Sequence, residues 1–215
     1  MLDKYIGDAI MAAFGVPVEH DDDEDRAVRA GISMLTSLDE WNKERASKGQ
    51  PPVNMGIGLN TDLIVSGNIG SPTRMNYTLI GDGVNLASRL ESACKQYAAK
   101  LLISEYTFRK LKGTYRIRDV DEVIVIGKTE PVRVYEVLDY HSDHTFPNLM
   151  EVVGHFKEGR KHFGSGSWDK AIASFRQALA ANPHDKLSEI YIERCEFMKA
   201  NPPAHWDGVW KLASK

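Results

Sequence analysis

Val53, Met55, Ile57 and Leu59 alternate with Asn54, Gly56 and Gly58, the period-two pattern of a strand with one buried face. This alternation constrains the fold most, because short β-like runs recur until about residue 140 and helical spacing takes over afterwards. "DKYIGDAIMAAFG" (residues 3–15) reads as two strands, 3–7 and 9–15, that turn at Gly7-Asp8. "NTD" (60–62) turns the chain from the 53–59 strand into a second one, "LIVSGN". "NYTLIGD" and "KLLIS" are further strands, and "YRIRDVDEVIVIG" and "VRVYEVLDY" pair around the turn "GKTEP". Ala27, Val28, Gly31, Met34, Leu35, Leu38 and Trp41 form one helical stripe, which ends near Ser47–Gly49 before Pro51-Pro52. Helices are also predicted over 84–97 and Glu105–Leu111. Together these elements predict an α+β fold, a mixed sheet with a βαββαβ core and helices on one face.

Several patterns have simple explanations. The acidic run Asp21 to Asp25 is placed to complement the start of the helix that follows. Gly56 and Gly58 make a G-x-G, but a strand follows where a dinucleotide fingerprint requires a helix. Beyond a linker-like 140–147, residues 148–215 are predicted to be helical, with a helical hairpin at their start. The spacing Gly159, Gly166, Ala171, Phe175, Ala178, Pro183 resembles one tetratricopeptide unit, with His155 and His162 at its usual early aromatic positions. Such a unit cannot bury its own apolar face. The main domain, a protein partner or further repeats must therefore cover it.

Composition removes other classes. Twenty-seven basic against 30 acidic residues give a net charge of −3, which supplies no reason to expect nucleic acid or an anionic membrane as partner. No apolar run reaches the roughly 18–20 residues that span a bilayer. Cys94 and Cys195 lack metal-ligand spacing and suit packing in a reducing compartment. The seven histidines show neither metal spacing nor a Ser-His-acid pattern. A cytoplasmic location is expected, with membrane attachment of a longer parent left open.

"DKYIGDAIMAAFG", "GNIGSPTRMNYTLIGDGVNLASRLE" and "GKTEPVRVYEVL", in this order, resemble the catalytic domain of the class III nucleotidyl cyclases over residues 1–139. The resemblance implies a ferredoxin-like α+β domain that forms cyclic AMP or cyclic GMP as a homodimer. It also implies two Mg2+ or Mn2+ ions in each shared active site. Attack of a ribose 3′-hydroxyl on the α-phosphate requires metal-binding carboxylates and planar cationic donors, and the family's positions supply them here. Asp8 matches a metal-binding aspartate at the hairpin turn. Lys4 falls at the base-reading position, where adenylyl cyclases hold Lys and guanylyl cyclases typically Glu. An ammonium only donates, which suits the N1 acceptor of adenine. Thr78, seven residues before Asn85, is the second base-reading residue.

Asn85 and Arg89, four apart on one helix face, match the pair that orients the ribose and steadies the transition state. Lys128, in the last hairpin turn, is a candidate for the β- and γ-phosphates. Asp82 is assigned to capping the helix. Asp62 replaces the Gly of the family's usual "NTG" and is expected to keep its turn in left-handed geometry.

The family's first metal aspartate lies in an F-x-D-I-x-G-F-T segment upstream of the hairpin, which this sequence lacks. The chain is therefore expected to be the C-terminal portion of an adenylyl cyclase that uses ATP, inactive without that segment. A non-catalytic interaction or regulatory module is the alternative of another class. Guanylyl cyclase is opposed by Lys4 and Thr78.

Overall fold

The computed structural model describes residues 1–71, 73–124 and 131–210. Two strands, β1 (Leu2–Ile6) and β2 (Ala9–Ala12), form a hairpin ahead of the long helix α1 (Asp23–Ser47). β3 (Ile57–Leu59), β4 (Val65–Ser71) and β5 (Arg74–Ile80) follow, then α2 (Asp82–Gln96), β6 (Leu101–Ser104) and the single turn α3 (Glu105–Phe108). β7 (Ile117–Ile124) and β8 (Pro131–Val137) complete the strands, and α4 (Leu149–Gly164), α5 (Trp168–Ala181) and α6 (Lys186–Ala200) complete the helices.

The strands are divided among a four-stranded sheet, order β3-β6-β8-β7, and two separate ribbons, β1-β2 and β4-β5. Two sequence expectations change here. The 53–59 run does not turn back onto its successor: β3 pairs in parallel with β6, whereas β4 pairs with β5. Helices cover both faces of the sheet. Leu101 and Ile103 pack with Val28 and Leu35 of α1, while Leu102, from the same strand, packs with Leu86, Leu90 and the α4–α6 helices. All four β6 residues are buried, as a strand covered on both sides requires.

Local chemistry sets where the helices sit. Of the α1 stripe, Val28, Gly31 and Leu35 are buried, while Met34 and Trp41 stay exposed. Asp22, at the start of α1, makes no side-chain cap. Asp25 turns inward instead, accepting hydrogen bonds from the Lys112 and Gly113 amides and the Tyr115 hydroxyl. Those donors hold its carboxyl below the usual range against the opposing effect of burial.

Gly56 and Gly58 are packing residues. A Cβ on Gly58 would lie 2.3 Å from both the Ala87 carbonyl oxygen and the Glu91 nitrogen, so α2 rests directly on the β3 backbone. Gly58→Ala is expected to cost about 3 kcal/mol through overpacking. Urea denaturation reads this as a lowered midpoint, and an unchanged midpoint would show that α2 can move away freely.

The C-terminal helices lie against the sheet. Within the 148–215 region predicted to be helical, a third helix, α6, begins after Pro183 and adds Leu187, Tyr191 and Cys195 to the core, but the helix ends at Ala200 and residues 201–210 form none. The small-residue spacing does bring helices together: Gly159 of α4 faces the Phe175 ring of α5, where a Cβ would come within 2.5 Å. The 140–147 segment also folds down, with Phe146 buried beside Leu138 and Val152. Both cysteines are free and buried, and burial pushes each thiol up to about 12. Among the described residues, no helix is long and apolar enough to cross a membrane.

Candidate active site

Gly7, at φ 63°, takes the left-handed backbone that turns β1 into β2. The turn leaves Asp8 exposed at the tip of the ribbon. The β1–β2 register slips between Leu2 and Lys4, so Asp3 is the extra residue of a β-bulge. β1 runs beside β5, and the Lys4 Nζ donates to Thr78 Oγ1 at 2.5 Å. Two residues 74 positions apart in sequence, predicted to share a role, are thus in direct contact.

β5 leads through Gly81 into α2, whose exposed face carries Asn85 and Arg89. The start of α2 is tied to the segment after β3. Asn60 Nδ2 donates to the Gly83 carbonyl at 3.1 Å, and Asn60 Oδ1 accepts from Ser104 Oγ at 2.6 Å. Gly83 is so close to Asp62 that an added Cβ would stand 2.4 Å from the Asp62 Cβ. Asp62 is therefore a close-packed neighbour of α2 and has no left-handed backbone, since Ala98 and Asn148 are the non-glycine residues at positive φ among those described. Asp82 does not cap α2 as expected: the cap position is Gly81, and no side-chain cap is made. Lys128 lies outside the described residues.

The ribbons that carry Lys4, Asp8 and Thr78 are apolar on their outer surfaces. Tyr5, Ile6, Ile10, Val65 and Met75 are each more than half exposed. Among the described residues, no group of three or more His, Cys, Asp or Glu side chains converges as a metal site. Asp8 nevertheless offers an exposed carboxylate, and Mg2+ is commonly held by one or two carboxylates together with substrate phosphates. The residue present fits such an ion as one of its ligands.

Asp3 carries no signal in the sequence, because strand alternation sends neighbouring side chains to opposite faces and a bulge leaves no mark in that alternation.

The fold defines a mixed α+β domain whose polar side chains gather on a ribbon and on the helix that follows it. Residues 4–139 match the Adenylate and Guanylate cyclase catalytic domain, and the chain belongs to that family. It is 36% identical over 201 residues to the "Adenylate cyclase, terminal-differentiation specific" of Dictyostelium discoideum, a match covering 90% of this chain and 9% of that protein. It is 40% identical over 143 residues to an adenylate cyclase of Anabaena cylindrica, covering 63% of this chain and 28% of that one. The chain therefore spans well under a third of the length of either relative.

Among solved structures, the adenylyl cyclase CyaB from P. aeruginosa superposes with a TM-score of 0.58 at 36% identity, over 66% of this chain and 73% of that one. The guanylyl cyclase Cya2 gives 0.57 at 35% identity, over 64% and 68%.

Proposed function

We propose that residues 1–139 are the catalytic portion of an adenylyl cyclase, which forms cyclic AMP and pyrophosphate from ATP at sites shared across a homodimer. The 140–147 segment then leads into a helical appendage from residue 148. The observation that carries this reading is the 2.5 Å contact between Lys4 Nζ and Thr78 Oγ1. It puts a donor-only cation and a hydroxyl at one point, as recognition of a purine edge requires. The Lys4 ammonium donates to adenine N1, where guanine carries a hydrogen, and Thr78 accepts from the exocyclic amine. Asn85 orients the ribose. Arg89 meets the charge that develops on the phosphoryl oxygens, with planar donors on a rigid helix.

Asp8 would hold Mg2+ or Mn2+, which when bound favours ionisation of the 3′-hydroxyl and offsets the triphosphate charge. Lys128 is proposed to reach the β- and γ-phosphates. The exposed apolar faces of the two ribbons support association with a second copy. In that arrangement Asp8 serves one site, while Lys4, Thr78, Asn85 and Arg89 serve the other.

Mixing tests the shared site. In the full-length protein, Asp8→Ala and Arg89→Ala are each expected to lower cyclic AMP formation by about 10²–10³-fold. A mixed dimer places both lesions in one site and none in the other. Combining the two inactive proteins should therefore restore about one working site per heterodimer. Heterodimers that form, as seen by native mass spectrometry, yet stay as inactive as either parent would overturn the arrangement.

A further inference from the structure

Asp3 is an acid in an unusual position. Its side chain is only 1% exposed, and its Oδ2 makes no hydrogen bond. A buried carboxylate is costly unless it is paired, and here the pairing is loose: Oδ2 lies 3.4 Å from Lys4 Nζ. The bulge explains the geometry. In a regular strand Asp3 and Lys4 would point to opposite faces, but the extra residue in β1 turns both toward the same side. The Lys4 ammonium thus stands between Thr78 Oγ1 at 2.5 Å and Asp3 Oδ2 at 3.4 Å.

Lys4 and Thr78 together do not reject guanine strongly. An ammonium that donates to adenine N1 can, after a small shift of the base, donate to guanine O6 instead. A hydroxyl that accepts from the adenine amine can equally donate to O6. Discrimination needs an acceptor-only group that also fixes the direction of the ammonium. Asp3 is both. With one ammonium hydrogen committed to Thr78 and another drawn toward Asp3, the third has a single direction left. The negative charge behind the pair favours an exocyclic amine and opposes a carbonyl oxygen.

We propose that Asp3 is a positioning residue for base selection, aiming Lys4 so that the site takes ATP in preference to GTP. This rests on the adenylyl cyclase reading and adds the group that supplies its selectivity.

The test is Asp3→Asn in the full-length protein, which keeps the shape and removes the charge. Affinity is read by competition of ATP and GTP against a fluorescent ATP analogue, and turnover is read separately. The ATP-to-GTP ratio of affinities should fall about tenfold, as loss of one charged hydrogen-bonding partner implies. KM for ATP should rise while kcat changes little, because Asn85, Arg89 and Asp8 are untouched. A purely structural role would lower kcat for both nucleotides and leave the ratio unchanged, and that result overturns the proposal.

Should Asp3→Asn fail to fold, Thr78→Asp gives a second reading. It supplies an acceptor-only group directly, so Asp3→Ser in that background should leave the ratio unchanged while lowering it in the wild type; equal effects in both backgrounds overturn the proposal. If the wild type makes no cyclic nucleotide from either triphosphate, the adenylyl cyclase reading falls. The binding ratio still decides the role of Asp3.

Discussion

Lys4→Glu combined with Thr78→Cys is expected to reduce ATP turnover by up to about 10⁴-fold and to raise the use of GTP. The exchange replaces a donor that faces adenine N1 with an acceptor that faces the N1–H of guanine. The loss is large because a site built to hydrogen-bond one edge leaves its own polar groups unpaired against another. The gain with GTP should be smaller than the loss with ATP. Asp3 Oδ2 already lies 3.4 Å from the Lys4 ammonium, so a glutamate at position 4 brings two carboxylates together. Parallel rates with ATP and GTP in the full-length protein check this. An unchanged ratio would remove Lys4 and Thr78 from base recognition.

The second large effect concerns the joint between the sheet and the helices that follow it. Asp121 of β7 is fully buried. Its Oδ2 accepts from the Tyr97 hydroxyl at 2.8 Å and from Arg194 Nη1 at 2.7 Å, and its Oδ1 lies 3.4 Å from Arg160 Nη2. A slip in the β7–β8 register between Asp119 and Asp121 aims this carboxylate inward. Beside it, Arg118 joins Glu136 at 2.6 Å to Asp185 at 2.7 Å, at the start of α6.

Asp121→Ala leaves the buried Arg194 guanidinium and the Tyr97 hydroxyl without their acceptor, and leaves Arg160 to Asp119, 4.0 Å away. Breaking such a pair costs about 3–5 kcal/mol, which urea denaturation of the whole chain should show as a lower midpoint. Arg194→Met should cost less, because Arg160 remains to face the carboxylate and the methionine fills the apolar volume. A loss under about 1 kcal/mol for Asp121→Ala would mean that the helices dock by apolar contact alone. Tyr97 also closes α2, its amide donating to the Ala93 carbonyl at 3.1 Å. The same carboxylate therefore anchors the end of the helix that carries Asn85 and Arg89.

The sequence by itself determined the elements and the residues proposed for the site. Helical spacing marked α1, α2 and the C-terminal helices, because burial of one face forces that repeat, and the Gly7-Asp8 turn marked the β1–β2 hairpin. Motif spacing placed Lys4, Asp8, Thr78, Asn85 and Arg89 on their elements, since each sits within a few residues of a turn or helix start that local chemistry fixes.

Tertiary structure decided what was paired with what. Local pattern carries no record of strand partners, so the parallel pairing of β3 with β6 and the covering of both sheet faces appear only in the fold. Gly56 and Gly58 have the spacing of part of a nucleotide motif, but it is the close approach of α2 in the fold that requires them. The bulges at Asp3 and before Asp121 each place one carboxylate where alternation would not, beside Lys4 in one case and against Arg160 and Arg194 in the other. An extra residue in a ladder is defined by the strand opposite, and that strand is a tertiary fact.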